Sequence, residues 1–148
     1  AYNNNYQIFQ TPDFVAIVQE HIHDVRFIPL DGRPHIPGSV RQYAGDSRGR
    51  WEGDTLVVET TNFQRETNFA GSSKDTLLVE RFRRVDPDTL MYEFTIEDPN
   101  NYTRPWTAMI PMSACSSTWR TTKQRSTSTS PAKRYTDAAT GSGPERRR

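Results

Sequence analysis

Cysteine is almost missing from this chain of 148 residues: one is present, so no internal disulfide framework can hold it together. Histidine is nearly as scarce, with three copies. No apolar run approaches the length needed to cross a bilayer as a helix, and Phe14-Val15-Ala16-Ile17-Val18 is too short for a signal-peptide core. Helical periodicity is scarce before residue 112, and a Gly-x-Ser-x-Gly elbow, a phosphate-cradling loop and a zincin helix are all missing. These gaps exclude a disulfide-stapled domain, a helical membrane protein and the commonest motif-bearing enzymes. The first residue is Ala1 rather than Met, from which a processed N-terminus is expected.

What is present divides in two. Of 19 Lys/Arg and 18 Asp/Glu, 8 and 2 fall in residues 113–148, leaving 11 and 16 in residues 1–112. The formal net charge of +1 is therefore a cancellation between an acidic body and a basic tail. An acidic body argues against nucleic acid as a partner. The tail is rich in Ser, Thr, Lys and Arg, ends in Arg146-Arg147-Arg148 and is poor in aliphatic residues, so disorder is expected there.

Strand signals fill the body. Leu90, Tyr92, Phe94 and Ile96 alternate with Met91, Glu93, Thr95 and Glu97, and the run Leu77 to Val85 precedes them across Asp86-Pro87-Asp88-Thr89. Tyr6 to Phe9 and Phe14 to His23 flank Thr11-Pro12-Asp13. Residues 48–52 and 55–61 flank Gly53-Asp54, and Arg104 to Met112 supplies a last strand. The expected fold is all-β: one antiparallel barrel or strongly curved sheet of lipocalin-like character, about eight strands over residues 1–112, then the tail 113–148. Two long loops, residues 30–45 and 64–74, are placed as binding loops or lids. The aromatic residues, among them Phe9, Phe14, Phe82, Tyr92 and Trp106, are assigned to the core.

Candidate chemistry concentrates between residues 20 and 62. His21 and His23 share a face of an extended strand, and with His35 they are the set that would hold a transition metal. Hydrogen bonds to buried polar groups account better for these imidazoles, and no metal is assigned. His23 with Asp24 beside it has the composition of a general base and its orienter. Arg48 and Arg50 stand on the side of their strand opposite Trp51. Together with Arg26 and Arg41 they offer planar guanidinium forks to an anion. Trp51 is a packing anchor that could also stack on a ligand.

Gly49-Arg50-Trp51-Glu52-Gly53-Asp54-Thr55-Leu56-Val57-Val58-Glu59-Thr60-Thr61-Asn62-Phe63 resembles the signature of a widespread family of uncharacterised bacterial proteins. Glu80 to Leu90, Thr103-Arg104-Pro105-Trp106-Thr107, Ile22 to Arg26 and Pro29 to His35 are similar to its other blocks. The resemblance covers residues 1 to about 112 and implies export, hence a periplasmic or secreted location. It implies no activity. Family members continue into a Cys-His-Glu-Gly-Asn segment; here Ala114-Cys115 is followed by Ser116-Ser117-Thr118-Trp119, as an altered reading frame would give.

Three functional expectations follow. The first is binding of a small, partly apolar or anionic molecule by His21, His23, Arg26, Arg41, Arg48, Arg50 and Trp51, without a cofactor. The second is an isomerase, lyase or hydrolase using His23, Asp24 and Arg48. The third is an envelope structural or interaction protein that docks through its charged hairpin.

Overall fold

A computed structural model describes residues 5–20, 24–64 and 71–114. Eight strands account for most of them: β1 (Tyr6–Gln10), β2 (Phe14–Gln19), β3 (Asp24–Pro29), β4 (Asp46–Glu52), β5 (Thr55–Thr61), β6 (Leu77–Asp86), β7 (Thr89–Glu97) and β8 (Trp106–Ser113). All strand pairs are antiparallel. The all-β expectation and the strand number hold. The barrel does not: the strands form a three-stranded sheet, β1-β2-β3, and a five-stranded sheet, β4-β5-β6-β7-β8. Among the described residues no ladder joins β3 to β4 or β8 to β1, so each sheet keeps two free edges. His21, His23 and nearly all of the basic tail lie outside the described residues.

Turn chemistry sets the hairpins. Thr11 closes the β1–β2 turn by donating its hydroxyl to the Phe14 carbonyl at 2.9 Å and accepting the Phe14 amide at 3.1 Å. Between β4 and β5 only Gly53 has positive φ, at 63°, the pattern of a type II′ turn that suits the twist of paired strands. At the β6–β7 turn the Asp86 carboxylate accepts the Asp88 amide at 2.8 Å, and the register shifts between Arg84 and Asp86.

The sheets meet through one apolar layer. Val15, Ile17 and Ile28 of the small sheet pack with Leu56 and Val58 of the large one, flanked by Ile8, Leu30 and Phe82. Each such side chain contributes roughly 1.5–3 kcal/mol by leaving water. Gly49 allows the approach: a Cβ there would lie 2.7 Å from the Ile28 Cγ2 and 2.8 Å from the Leu30 Cδ2. A second cluster, Phe63, Leu78, Phe94 and Ile96, lies under Tyr92, Tyr102, Trp106 and Ala108. The rings run on as a ladder, Phe82–Tyr92 at 4.8 Å, Tyr92–Phe94 at 5.5 Å and Phe94–Trp106 at 5.6 Å between centroids.

Buried Asp98 fixes the connection after β7. It accepts the Ser73 amide, the Ser73 hydroxyl at 2.9 Å, the Thr76 hydroxyl at 3.0 Å and the Asn100 amide at 3.0 Å. Burial opposes its ionisation, yet the donors from Ser73, Thr76 and Asn100 outweigh it and bring the carboxyl down to about 2.

Candidate functional site

Alternation along each strand decides which of the expected site residues can meet. On β3, Ile28 lies in the core between the sheets, so Arg26, two residues away, faces the same way. Its Nη1 lies 2.8 Å from Oε2 of Glu80, whose side chain on β6 is 4% exposed. That contact is a charge pair without hydrogen-bond alignment, since Glu80 Oε2 has no bonded donor. The other oxygen, Oε1, accepts the Tyr92 hydroxyl at 2.9 Å. Burial first, then the Glu80 charge, pushes the Tyr92 phenol well above its ordinary value. This is the single ion pair among the described residues that ties one sheet to the other. A buried pair of this kind costs desolvation and is badly destabilised when one member is lost.

Arg48 and Arg50 stand on the opposite side of the large sheet. Arg48 Nη1 donates to Asp46 Oδ1 at 2.7 Å and to the Ser47 carbonyl at 2.8 Å, and its Nε donates to the Pro34 carbonyl at 3.1 Å. Arg50 bonds Glu52 at 3.0 Å and Glu59 at 2.5 Å, and Arg81 bonds the other oxygen of Glu52 at 2.9 Å. These four side chains form a self-satisfied charged lattice over the buried Val57. Trp51 projects from the other face of β4 and is exposed. Arg41 reaches the Lys74 carbonyl and, at 2.9 Å, Asp75. Asp24 accepts the Val25 amide at 2.8 Å. The structure therefore does not gather Arg26, Arg41, Arg48, Arg50 and Trp51 into one hollow.

His35, the third member of the histidine set, is bound by Asp46: its Nδ1 lies 2.8 Å from Oδ2, which also accepts the Ile36 amide at 3.1 Å. Asn62, at φ 59°, donates to the Ile36 carbonyl at 2.9 Å. The same carboxylate and Asn62 grip the backbone beside His35, so the cluster clasps loop 30–45 to the start of β4. Among the described residues no group of three His, Cys, Asp or Glu is placed to hold a metal. Two depressions, of about 20 and 500 Å³, are lined by Arg84, Pro87–Leu90 and Ala114, and by Gly71–Asp75 with Asn100 and Asn101. Neither is lined by an expected site residue, though Arg41 bonds Lys74 and Asp75 in the wall of the second.

One further surface departs from the sequence reading. Phe9 and Phe14, assigned to the core, lie outside it. Register places Phe9, Ala16 and Phe27 in one row across the small sheet, with Gln7, Val18 and Val25 in the next, and Phe14 beside Pro29. Seven of these eight are apolar and none is charged. Phe27 is 62% and Phe9 54% exposed, Val25 and Phe14 are also exposed, and Ala16 is buried beneath them. Phe14 and Phe27 touch at 5.8 Å between ring centroids. None of the three strands presents a charged side chain on this face: Arg26 and Asp24 of β3 point the other way, with Ile28. The signal was in the run Phe14 to Val18: a strand apolar at every position needs cover on both faces. No family model, no curated protein and no solved structure matches the chain.

Proposed function

We propose that this protein is an interaction module of the bacterial envelope, docking a protein surface on the outer face of its three-stranded sheet. The observation that carries this reading is the uncharged aromatic face built by Phe9, Phe14 and Phe27, on a sheet whose other face already packs the core. Contiguous apolar patches of this kind mark interaction surfaces. The absence of charge from all eight outer positions suits a partner protein that is apolar over the contact. The location outside the cytoplasm rests on the family resemblance.

Photocrosslinking tests this. A benzophenone side chain at position 27 is expected to give one discrete protein adduct in the native host. Phe9→Glu should abolish the adduct. The same probe at position 52, within the charged lattice, should give none. Equal adducts at both positions, or an adduct with lipid alone, contradict the reading.

A second reading keeps the small ligand. The Arg26–Glu80–Tyr92 group joined to the Phe82–Tyr92–Phe94 ladder is a polar anchor beside an aromatic surface, as binding of an apolar molecule with one polar end requires. Thermal-shift screening with lipids and aromatic acids checks it. A shift that Arg26→Met removes supports it, and indifference to every compound counts against it.

A further inference from the structure

Among the described residues the two sheets have four edge strands, β1, β3, β4 and β8, and each edge presents backbone groups that could pair with another chain. Hydrogen bonds at the strand ends show which groups those are. Glu20 N donates to Asn5 O at 3.1 Å and Thr11 N to Phe14 O at 2.9 Å. In an antiparallel ladder bonded and non-bonded pairs alternate, so Gln7 and Phe9 bond β2, and Tyr6, Ile8 and Gln10 turn their N–H and C=O groups to the free side.

The same reasoning separates β1 from the other three edges. Leu30 N donates to Asp13 O, which leaves Val25, Phe27 and Pro29 facing outward from β3. Ala114 N donates to Asp88 O, which leaves Met109, Pro111 and Ser113 facing outward from β8. Each of those edges therefore carries a proline whose missing donor falls on the free side, where it interrupts strand addition. On β4, Asp46, Arg48, Arg50 and Glu52 supply charge, and the clasped loop lies along its first residues. β1, Tyr-Gln-Ile-Phe-Gln, has neither proline nor charge.

We infer that β1 is a homotypic pairing edge, through which a second copy of this chain adds its own β1 antiparallel about a two-fold axis at Ile8. The strand is its own complement in that register. Ile8 faces Ile8 of the second copy, Tyr6 faces Gln10, and Gln7 faces Phe9, with no charge opposed to charge. Tyr6, Ile8 and Gln10 are the bonded positions on both strands, giving about six backbone hydrogen bonds. Two three-stranded sheets become one of six, and the rows holding Phe9 and Phe27 run on across the axis. This enlarges the proposed docking face toward the ~800 Å² that a stable interface buries per partner. The pairing stands without that face's partner being known. Five residues a side make a small contact, so the dimer dissociates readily.

Sedimentation equilibrium of the full chain tests this directly. A monomer–dimer equilibrium with a dissociation constant on the order of 10–100 µM is expected, as for small transient contacts. Amide exchange at Tyr6, Ile8 and Gln10 should slow as concentration rises, while Met109 on the β8 edge is unchanged. Tyr6→Lys with Gln10→Lys sets like charges across the axis and should weaken the dimer about tenfold; Tyr6→Lys with Gln10→Glu should restore it to within about threefold. Both pairs leave Ile8 in its core contact, and circular dichroism confirms that each variant folds. A protein monomeric to about 1 mM, or a dimer indifferent to both charge pairs, overturns the inference. A dimer broken by Phe27→Ser but untouched at β1 would move the contact to the outer face.

Discussion

The two sheets turn very different outer faces to their surroundings. The five-stranded sheet covers buried Val57 with Arg50, Glu52, Glu59 and Arg81, each bonded to a neighbour in the lattice. The three-stranded sheet presents Phe9, Phe14, Val25 and Phe27 uncovered. Antiparallel sheets with one wet face ordinarily alternate apolar-in with polar-out, as the large sheet does. The small sheet breaks that rule at seven of eight outer positions. A charged lattice that satisfies itself has little left to offer a ligand, so the unsatisfied surface is the better guide to function.

Breaking the join between the sheets carries the largest expected effect. Glu80→Ala leaves the Arg26 guanidinium without its partner and the Tyr92 hydroxyl without an acceptor, and should cost about 3–5 kcal/mol in urea unfolding. The double replacement Arg26→Met with Glu80→Leu should recover most of that loss, because a packed apolar pair needs no desolvation. If the single and double variants are equally unstable, the ion pair is not what joins the sheets.

Asp98 comes next. Its carboxyl, brought down to about 2 in the folded chain, contributes stability that is complete above its ordinary value of 3.8. That contribution is lost as pH falls from about 4 towards 2. Asp98→Asn should cost about 2–3 kcal/mol at neutral pH and flatten the acid limb of the stability profile. An unchanged acid limb contradicts that assignment.

The smallest effects sharpen the contrast between the outer faces. Phe27→Ser should move unfolding by less than about 1 kcal/mol while weakening partner capture. Glu52→Gln, in the lattice, should leave both the unfolding midpoint and capture where they were. Loss of capture on Glu52→Gln, with Phe27→Ser silent, would reverse the roles of the two faces.

Much of the fold was legible in the residues. Alternation from Leu90 to Ile96, the Pro87 turn and the Gly53 turn placed the large sheet, because hairpin pairing is decided by neighbours in sequence. β3 was not assigned as a separate strand, since Asp24 and Arg26 interrupt its apolar positions and disguise an inward face that Glu80 makes tolerable. Separation into two sheets depends on the approach of Gly49 to Ile28 and Leu30, a contact that strand periodicity does not encode. The site was less legible. Alternation sets Arg48 and Arg50 opposite Trp51, yet Glu59, which binds Arg50, lies across the hairpin on β5, and Asp46, which binds Arg48, is shared with His35 and Ile36 of a loop whose path the spacing does not fix. Phe9 and Phe14 were assigned to the core because an aromatic residue in a strand is usually inside; only the second apolar face of the small sheet reveals the exception.

Hydroxyl-radical footprinting of the full chain, in its native cell fraction and again after purification, asks the central question most directly. Oxidation of Phe9, Phe14 and Phe27 should fall several-fold in the native fraction, with exposed Tyr43 and Met109 labelled equally in both. Equal labelling of the three phenylalanines in the two preparations would mean that nothing docks on that face.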